Sequence, residues 1–230
     1  MILVVGVAIG AAAPASAAPR HYLRLSDERL RTHSASVVRS VWVRKSPSPR
    51  GRRLARLGTS TYHGSPEVVL MLGIRTGAAS WAYVRYAGQG SRRGWVPISA
   101  LSSTTVHAER LVLDRKRFRL RLLRGRRLLF SAPVGIGAAG SPTPAGRFYV
   151  RERLGPFRHS NTVYGALAFG LSAFSPQRTD WPGGGQVGLH GTNQPALIPG
   201  RISNGCVRLS NRRVLRLGRL LRVGTPLLVK

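Results

Sequence analysis

The sequence predicts a mostly β protein made of two all-β units with one or two short helices. Short segments rich in β-branched and aromatic residues recur along the chain, and Gly- and Pro-containing turns separate them. The segment 117–123, RFRLRLL, alternates strictly between apolar and basic side chains, as a half-buried strand does. A polar stretch at 102–110, SSTTVHAER, is typical of a linker between the two units.

The first unit is predicted from strands in 36–44, 67–74, 81–86 and 94–98, with a loop at 45–53. Trp81, the run Gly94-Trp95-Val96 and then Leu101 resemble the closing pattern of bacterial SH3-like domains, which are small β-barrels attached to many cell-wall enzymes. The resemblance covers residues 33–102. A small antiparallel barrel with aromatic core residues is the alternative, and in either case Trp81 and Trp95 are expected in the core rather than in a binding site.

The second unit begins with a hairpin. Phe118, Leu120 and Leu122 share one face of the first strand, and a turn at 124–126 leads into its partner at 127–136. A loop at 137–146 and a strand at 147–152 follow. Near the end, Ser210 or Asn211 is positioned to cap a short helix over 212–221, which Gly224 and Pro226 end, and 227–229 is a last strand.

The N-terminus is typical of a secretory signal. About a dozen apolar or small residues precede Ala15-Ser16-Ala17, a pattern that signal peptidases cleave, and the run is too short to span a bilayer. We therefore expect a signal peptide over 1–17, a poorly ordered leader over 18–32 and no stable transmembrane segment. The mature protein is expected at the cell wall, periplasmic or on the extracellular face of the membrane.

The charge is strongly basic but evenly spread. The chain has 34 Arg and 3 Lys against 7 acidic residues, for a formal charge of +30, with no basic tail or block. This distribution does not require a specific nucleic-acid partner. It predicts long-range attraction to polyanions, which for an exported protein are anionic cell-wall polymers and lipid headgroups.

The residue inventory excludes several chemistries. After residue 105 the carboxylates are isolated, so the acid pair of a glycoside hydrolase is missing; they are Glu109, Asp114, Glu152 and Asp180. No His/Cys spacing suits zinc and no phosphate loop is present, so we expect neither a metal nor an organic cofactor.

One thiol remains, and its setting is unusual. Cys206, the only cysteine, lies in the polar segment GRISNGCVRLSN between two arginines. It pairs between molecules, stays buried and inert, or reacts. His190, sixteen positions upstream, is suited to be its base, and Arg201 and Arg208 favour the thiolate. Gly205 permits a turned backbone, so the amides of Asn204, Gly205 and Cys206 are candidates for an oxyanion hole.

The segments HGT (190–192) and SNGCVRLSN (203–211) resemble the signature of the L,D-transpeptidase (YkuD-type) catalytic domain, which has His-Gly-Thr followed by Ser-His-Gly-Cys-(Ile/Val)-Arg. The segments APVGIG and SPTPAGRFYV extend the resemblance, which covers 106–230. Asn204 stands where the family has His. The departure leaves the base at His190 but puts in doubt any tuning by a second imidazole.

The resemblance implies a β-sandwich that acts on peptidoglycan stem peptides. Cys206 would attack the third residue, expel D-alanine and pass the thioester to a neighbouring stem as a 3→3 cross-link. His190 would be the base and the Gly191 carbonyl would orient it. Arg208 would hold a substrate carboxylate or form a structural ion pair. The remaining candidate substrate-binding residues are Thr192, Ser203 and Tyr164, the first two as turn and hydrogen-bonding residues and the last either lining the donor groove or packed in the core or at the rim.

Three alternatives remain open from the sequence. Water as the acceptor would make the protein an L,D-carboxypeptidase. A site inactivated at Asn204 would leave a non-catalytic peptidoglycan-binding protein. The charge alone suggests a polyanion-binding protein, which leaves the pairing of His190 with Cys206 unexplained. In each case we expect a monomer.

Overall fold

A computed structural model describes residues 21–177 and 183–230. The predicted signal peptide, the start of the leader and Asp180 lie outside the described residues. Across the described ranges, no helix is long and apolar enough to cross a membrane.

The N-terminal unit is an antiparallel sheet of eight short strands. They are β1 (Tyr22–Arg24), β2 (Thr32–Ser36), β3 (Val41–Arg44), β4 (Arg53–Leu57), β5 (Val68–Arg75), β6 (Trp81–Arg85), β7 (Arg93–Pro97) and β8 (Thr105–His107). Their order is β4-β3-β7-β6-β5-β2-β8, with β1 also on β5. Trp81 is buried as predicted, whereas Trp95 is half-buried beside Tyr22 and Tyr83. The likeness to SH3-like barrels stays a prediction.

Within the described residues, the second unit contains ten strands and one α-helix. They are β9 (Glu109–Asp114), β10 (Arg119–Arg124), β11 (Arg127–Pro133), β12 (Gly135–Gly137), β13 (Gly146–Leu154), β14 (Ala168–Phe174), β15 (Gln186–His190), β16 (Gly200–Ser203), β17 (Val207–Arg208), α1 (Asn211–Gly218) and β18 (Pro226–Val229). The strand order is β11-β10-β9-β18-β13-β14-β15-β17-β12-β16. The mostly β fold class is thereby confirmed.

The long strand β13 belongs to both halves of this unit. Residues 146–149 pair with β18, and residues 150–154 pair with β14 with a register shift between Val150 and Glu152. Side chains from both halves, such as Leu111 and Leu120 from one and Phe169 and Leu189 from the other, meet in one buried core. Two layers that bury their inner faces against each other form a sandwich.

Two local expectations differ from the structure. Part of the predicted leader is ordered, because β1 pairs with β5 and the buried hydroxyl of Ser26 donates to Met71 O at 2.6 Å. The helix ends at Gly218 rather than at 221. A Cβ on Gly218 would lie 2.3 Å from Leu167 Cδ2, so the absent side chain lets the helix end pack closely on the core.

The two units are joined by buried polar contacts. Arg151 on β13 pairs with Glu67, its Nε donating to Oε1 at 2.8 Å. Tyr149 Oη, fully buried, donates to Val68 O at 2.7 Å. Only Ala108 separates β8 from β9. These contacts fix the N-terminal unit against the strand that leads to the site described next.

Candidate active site

Strand β15 places the predicted base and thiol together. Val187 and Leu189 point into the core, so the alternate residues Gln186, Gly188 and His190 share the other face. The parallel partner β17 aligns Leu189 with Val207, which brings Cys206 beside Gly188. The Gly188 N–H donates to Cys206 Sγ at 3.3 Å.

Gly188 provides the space that the two reactive groups share. A Cβ at this position would lie 3.2 Å from His190 Cδ2 and 3.6 Å from Cys206 Sγ. The thiol and the imidazole therefore approach the same point from two sides. A glycine here leaves room between them for a substrate atom.

His190 is held in one tautomer. Its Nδ1 lies 2.6 Å from Gly191 O; because a carbonyl only accepts, Nδ1 carries the proton and Nε2 keeps a lone pair. The ring is buried, and burial together with the charge of Arg208 lowers its pKa to about 4 despite this hydrogen bond. The imidazole is thus neutral near pH 7 and able to accept a proton.

Asn211, which the sequence suggested only as a helix cap, holds the loops behind His190. Its Oδ1 accepts from Ala166 N at 3.0 Å and from Thr192 N at 3.2 Å. Gly165 and Gly191 pack against this amide so closely that a Cβ on either would lie within 2.2 Å of Oδ1. In the sequence, only the position of Asn211 at the end of SNGCVRLSN pointed to this residue. That position did not predict Ala166 and Thr192 as its hydrogen-bond partners.

The turn before Cys206 is fixed by three hydroxyl groups. Ser203 Oγ donates to Cys206 O at 2.6 Å, Ser141 Oγ donates to Asn204 O at 3.0 Å and Thr143 Oγ1 donates to Gly205 O at 2.8 Å. Gly205 has a φ of 113°, in the region that favours glycine. Ser141 and Thr143 come from the loop SPTPAG, which gives the upstream part of the motif a physical role.

These contacts reduce the set of backbone N–H groups that are free to form the predicted oxyanion hole. The Gly205 N–H donates to Ser203 Oγ at 3.2 Å and is engaged within the turn. The Cys206 N–H has no acceptor among the described residues and remains available for an oxyanion.

The thiol is not activated at rest. Burial raises the pKa of the Cys206 thiol, and the Gly188 N–H and the charge of Arg208 offset this only in part. The charge of Arg208 favours the thiolate as expected, but burial outweighs it. Cys206 and His190 form a neutral pair.

Arg208 lines the cleft and makes no ion pair with any described residue. Its Nε is buried and lacks a hydrogen-bond partner there. The structural ion pair left open by the sequence is not formed in the described part of the chain. A partly buried guanidinium without a carboxylate is suited to an anionic group of a ligand.

The cleft has a volume of about 610 Å³. Its walls include Leu154, Phe157, Val163, Tyr164, Phe169, Gln186, Gly188, His190, Ser203, Asn204, Cys206, Arg208 and, from the N-terminal unit, His63. The apolar side of this wall suits the aliphatic part of a ligand. In the described ranges, no group of three His, Cys, Asp or Glu residues is arranged to hold a metal ion.

The candidate substrate-binding residues divide into two groups. Tyr164 lines the cleft, exposed, with its ring edge-on to His190 at a centroid distance of 5.2 Å. Ser203 lines the cleft and also fixes the turn. Thr192 is buried and outside the cleft wall, and its Oγ1 accepts from Gln194 N at 3.1 Å, so it shapes the loop after His190.

Comparison with known proteins gives one family. The family model for the L,D-transpeptidase catalytic domain, YkuD, matches residues 108–229. A Bacillus subtilis protein named as an L,D-transpeptidase, YkuD, is 31% identical over 99 residues, which cover 43% of this chain and 52% of the relative. Its namesake in Bacillus licheniformis is 34% identical over 110 residues, covering 46% and 56%. The chain thus spans about half the length of the curated relatives it matches.

Among solved structures, the catalytic domain of an L,D-transpeptidase from Enterococcus faecium is 23% identical with a TM-score of 0.38, and covers 53% of this chain and 96% of its own. An L,D-transpeptidase from Mycobacterium smegmatis is 16% identical with a TM-score of 0.42, and the match covers 66% and 91%.

Proposed function

Since the chain belongs to the family of the L,D-transpeptidase catalytic domain (YkuD), we propose that it is an exported cysteine acyltransferase that forms 3→3 cross-links between peptidoglycan stem peptides. The observation that supports this most directly is the shared space at Gly188. There the Cys206 thiol faces an imidazole whose Nδ1 is bound to Gly191 O and whose Nε2 is free to accept a proton.

Acylation begins when His190 Nε2 takes the Cys206 proton as sulfur attacks the carbonyl carbon of the third stem residue. Because the resting pair is neutral, proton transfer and attack are coupled. The carbonyl oxygen becomes an oxyanion, to which the Cys206 N–H donates. The C–N bond then breaks, His190 returns its proton to the departing amine of D-alanine, and a thioester remains.

Transfer repeats these steps with a new nucleophile. The side-chain amine of a second stem peptide attacks the thioester carbon and gives a proton to His190. The C–S bond breaks, the new amide is released and the thiolate recovers its proton from the imidazolium. Water in place of the amine would give the L,D-carboxypeptidase.

Arg208 is proposed to bind the carboxylate of the departing D-alanine. His190 and Arg208 are register partners on β15 and β17. The side chain of Arg208 therefore leaves the backbone beside the base that protonates the leaving amine. Asn204 lines the cleft where the family has His, and its carbonyl is held by Ser141. We propose that the turn keeps its shape with Asn and that His190 suffices as the base.

The experiment measures the intact mass of the full chain after incubation with a carbapenem, whose strained β-lactam carbonyl acylates a nucleophilic thiol. We expect one adduct on the wild type, none on Cys206→Ala, and much slower formation on His190→Ala. His21→Ala, which changes an exposed histidine of the N-terminal unit, is the matched control.

A stem tetrapeptide then tests the reaction itself. Dimer formation with loss of D-alanine supports the transpeptidase, and loss of D-alanine without a dimer supports the carboxypeptidase. A folded wild type that forms no adduct would contradict both and favour the non-catalytic peptidoglycan-binding protein.

A further inference from the structure

The N-terminal unit reaches into the catalytic cleft through one turn. His63 lies between β4 and β5 and lines the cleft, its side chain 37% exposed. Its Nδ1 is 3.2 Å from Oε1 of the buried Glu152, and Thr61 Oγ1 donates to Oε2 at 2.6 Å. The turn is therefore anchored on a carboxylate of β13.

Strand β15 gives the position of His63 relative to the thiol. Gln186 Nε2 donates to the same Glu152 oxygen at 2.9 Å, so His63 lies at the Gln186 end of the shared face. Gly188, beside the thiol, is two residues further along, and His190 is two beyond that. At about 3.3 Å per residue these steps are roughly 7 Å each, so the thiol lies between two imidazoles.

The two ends of the cleft differ in charge. At the His63 end, Glu67 pairs with Arg151, whereas Glu152 accepts from Thr61, His63 and Gln186 and forms no ion pair with an Arg or Lys among the described residues. Burial raises the pKa of Glu152, but these hydrogen bonds outweigh it and leave the pKa below its usual value. The other end holds Arg208, which has no carboxylate among the described residues.

The hydrogen bond to Glu152 also defines what His63 offers to a ligand. In the neutral imidazole, with Nδ1–H donated to the carboxylate, Nε2 carries the lone pair. No described residue donates to it. This nitrogen, supported by a buried negative charge, suits a cationic hydrogen-bond donor such as an aliphatic ammonium group.

The proton transfers by His190 indicate which part of the substrate lies near His63. His190 must give a proton to the leaving amine and take one from the incoming amine, so both occupy the His190 end. The acyl part that stays on Cys206 then extends towards Gln186. We propose, resting on the proposed function, that His63, supported by Glu152, binds the side-chain amine of the diamino acid acylated by Cys206 and selects acyl donors that carry it.

The test compares two tetrapeptide donors whose third residue is lysine or norleucine, which differ in the terminal amine. Single-turnover release of D-alanine, a step that precedes attack by the acceptor amine, gives kcat/KM of acylation for the wild type, His63→Asn, His63→Ala and the control His21→Ala. Asparagine keeps an N–H near the position of Nδ1 for Glu152 but has no Nε2. With the norleucine donor, the hydrogen bond between His63 and the charged amine is lost. We therefore expect the wild type and His21→Ala to prefer the lysine donor by about tenfold or more. His63→Asn should lose this preference and keep its activity on norleucine.

Three results would overturn the inference. His63→Asn that keeps the preference shows that the amine binds elsewhere, and an equal loss on both donors, with or without a lower melting temperature, shows a structural role. A wild type that turns over both donors equally also refutes it, while a carbapenem adduct on Cys206 leaves the proposed function intact. Absence of both turnover and adduct refutes the proposed function and, with it, the inference.

Discussion

The space at Gly188 gives a sharp test of the proposed mechanism, by substitution with alanine. The new methyl would lie 3.2 Å from His190 Cδ2 and 3.6 Å from Cys206 Sγ. The first distance requires the imidazole to move by a few tenths of an ångström, and the second is ordinary contact. The chain does not adopt a left-handed φ there, so alanine is compatible with the backbone.

Gly188→Ala should slow acylation while the protein stays folded. Alanine in place of a strand glycine gains roughly 0.5–1 kcal/mol of backbone entropy, and this offsets part of the about 1–3 kcal/mol that overpacking costs. We therefore expect a folded protein whose free energy of unfolding falls by about 2.5 kcal/mol at most. Because a misplacement of 1 Å can cost about a hundredfold in rate, acylation should slow by about ten- to a hundredfold.

The assay is the rate of carbapenem adduct formation by intact mass, beside thermal unfolding. Gly140→Ala is the matched control, because a Cβ there meets no atom within 4 Å and the position lies in the loop that precedes Thr143. Gly188→Ala acylated at the wild-type rate would refute the conclusion that thiol and imidazole react across this space.

Two further predictions concern the same pair and the loops behind it. The acylation rate should fall on the acid side near pH 4 rather than near pH 6.5. Activity is lost only as pH falls through the lowered pKa of His190, because the imidazolium can no longer accept a proton. An inflection at pH 6.5 or above would contradict this. Asn211→Ala removes the acceptor of two backbone N–H groups and should reduce the free energy of unfolding by about 1–3 kcal/mol and slow acylation. Asn211→Asp keeps this acceptor and loses only the exposed hydrogen bond from Nδ2 to Ser160 O, so it should melt closer to the wild type than Asn211→Ala does. Equal melting of wild type and Asn211→Ala would show that this side chain does not support the loops.

The sequence predicted the strands that have a clear local signal. The alternation in 117–123 identified the face of Leu120 and Leu122, both buried. Strands β14 and β15 lack such a signal, since their glycines interrupt the pattern and their order in the sheet depends on distant partners. Local periodicity cannot show that Gly188 pairs beside Cys206.

The site shows the same division between local and distant signals. Spacing and resemblance brought Cys206 and His190 together, because the motif is local to two segments. The roles of Thr143, Asn211 and His63 depend on contacts across 45 to 89 positions of the chain, to Gly205, Ala166 and Glu152. The sign of the thiol pKa was also beyond the sequence, because burial outweighs the charge of Arg208 only once the fold encloses the sulfur.

In the proposed mechanism, a neutral resting pair accounts for a reactive single cysteine in an exported protein. The thiolate, not the thiol, is the form that oxidants attack, so a raised pKa protects Cys206 in the oxidising surroundings expected of an exported protein. The cost is that sulfur must be activated during the reaction, by a base already held in the right tautomer by Gly191. Arg208 fits the proposed mechanism: its charge does not suffice to ionise the thiol, and its guanidinium, which has no ion pair among the described residues, is free to bind a substrate carboxylate. In that mechanism the nucleophilicity of the thiol depends on bound substrate, and the resting thiol is protected.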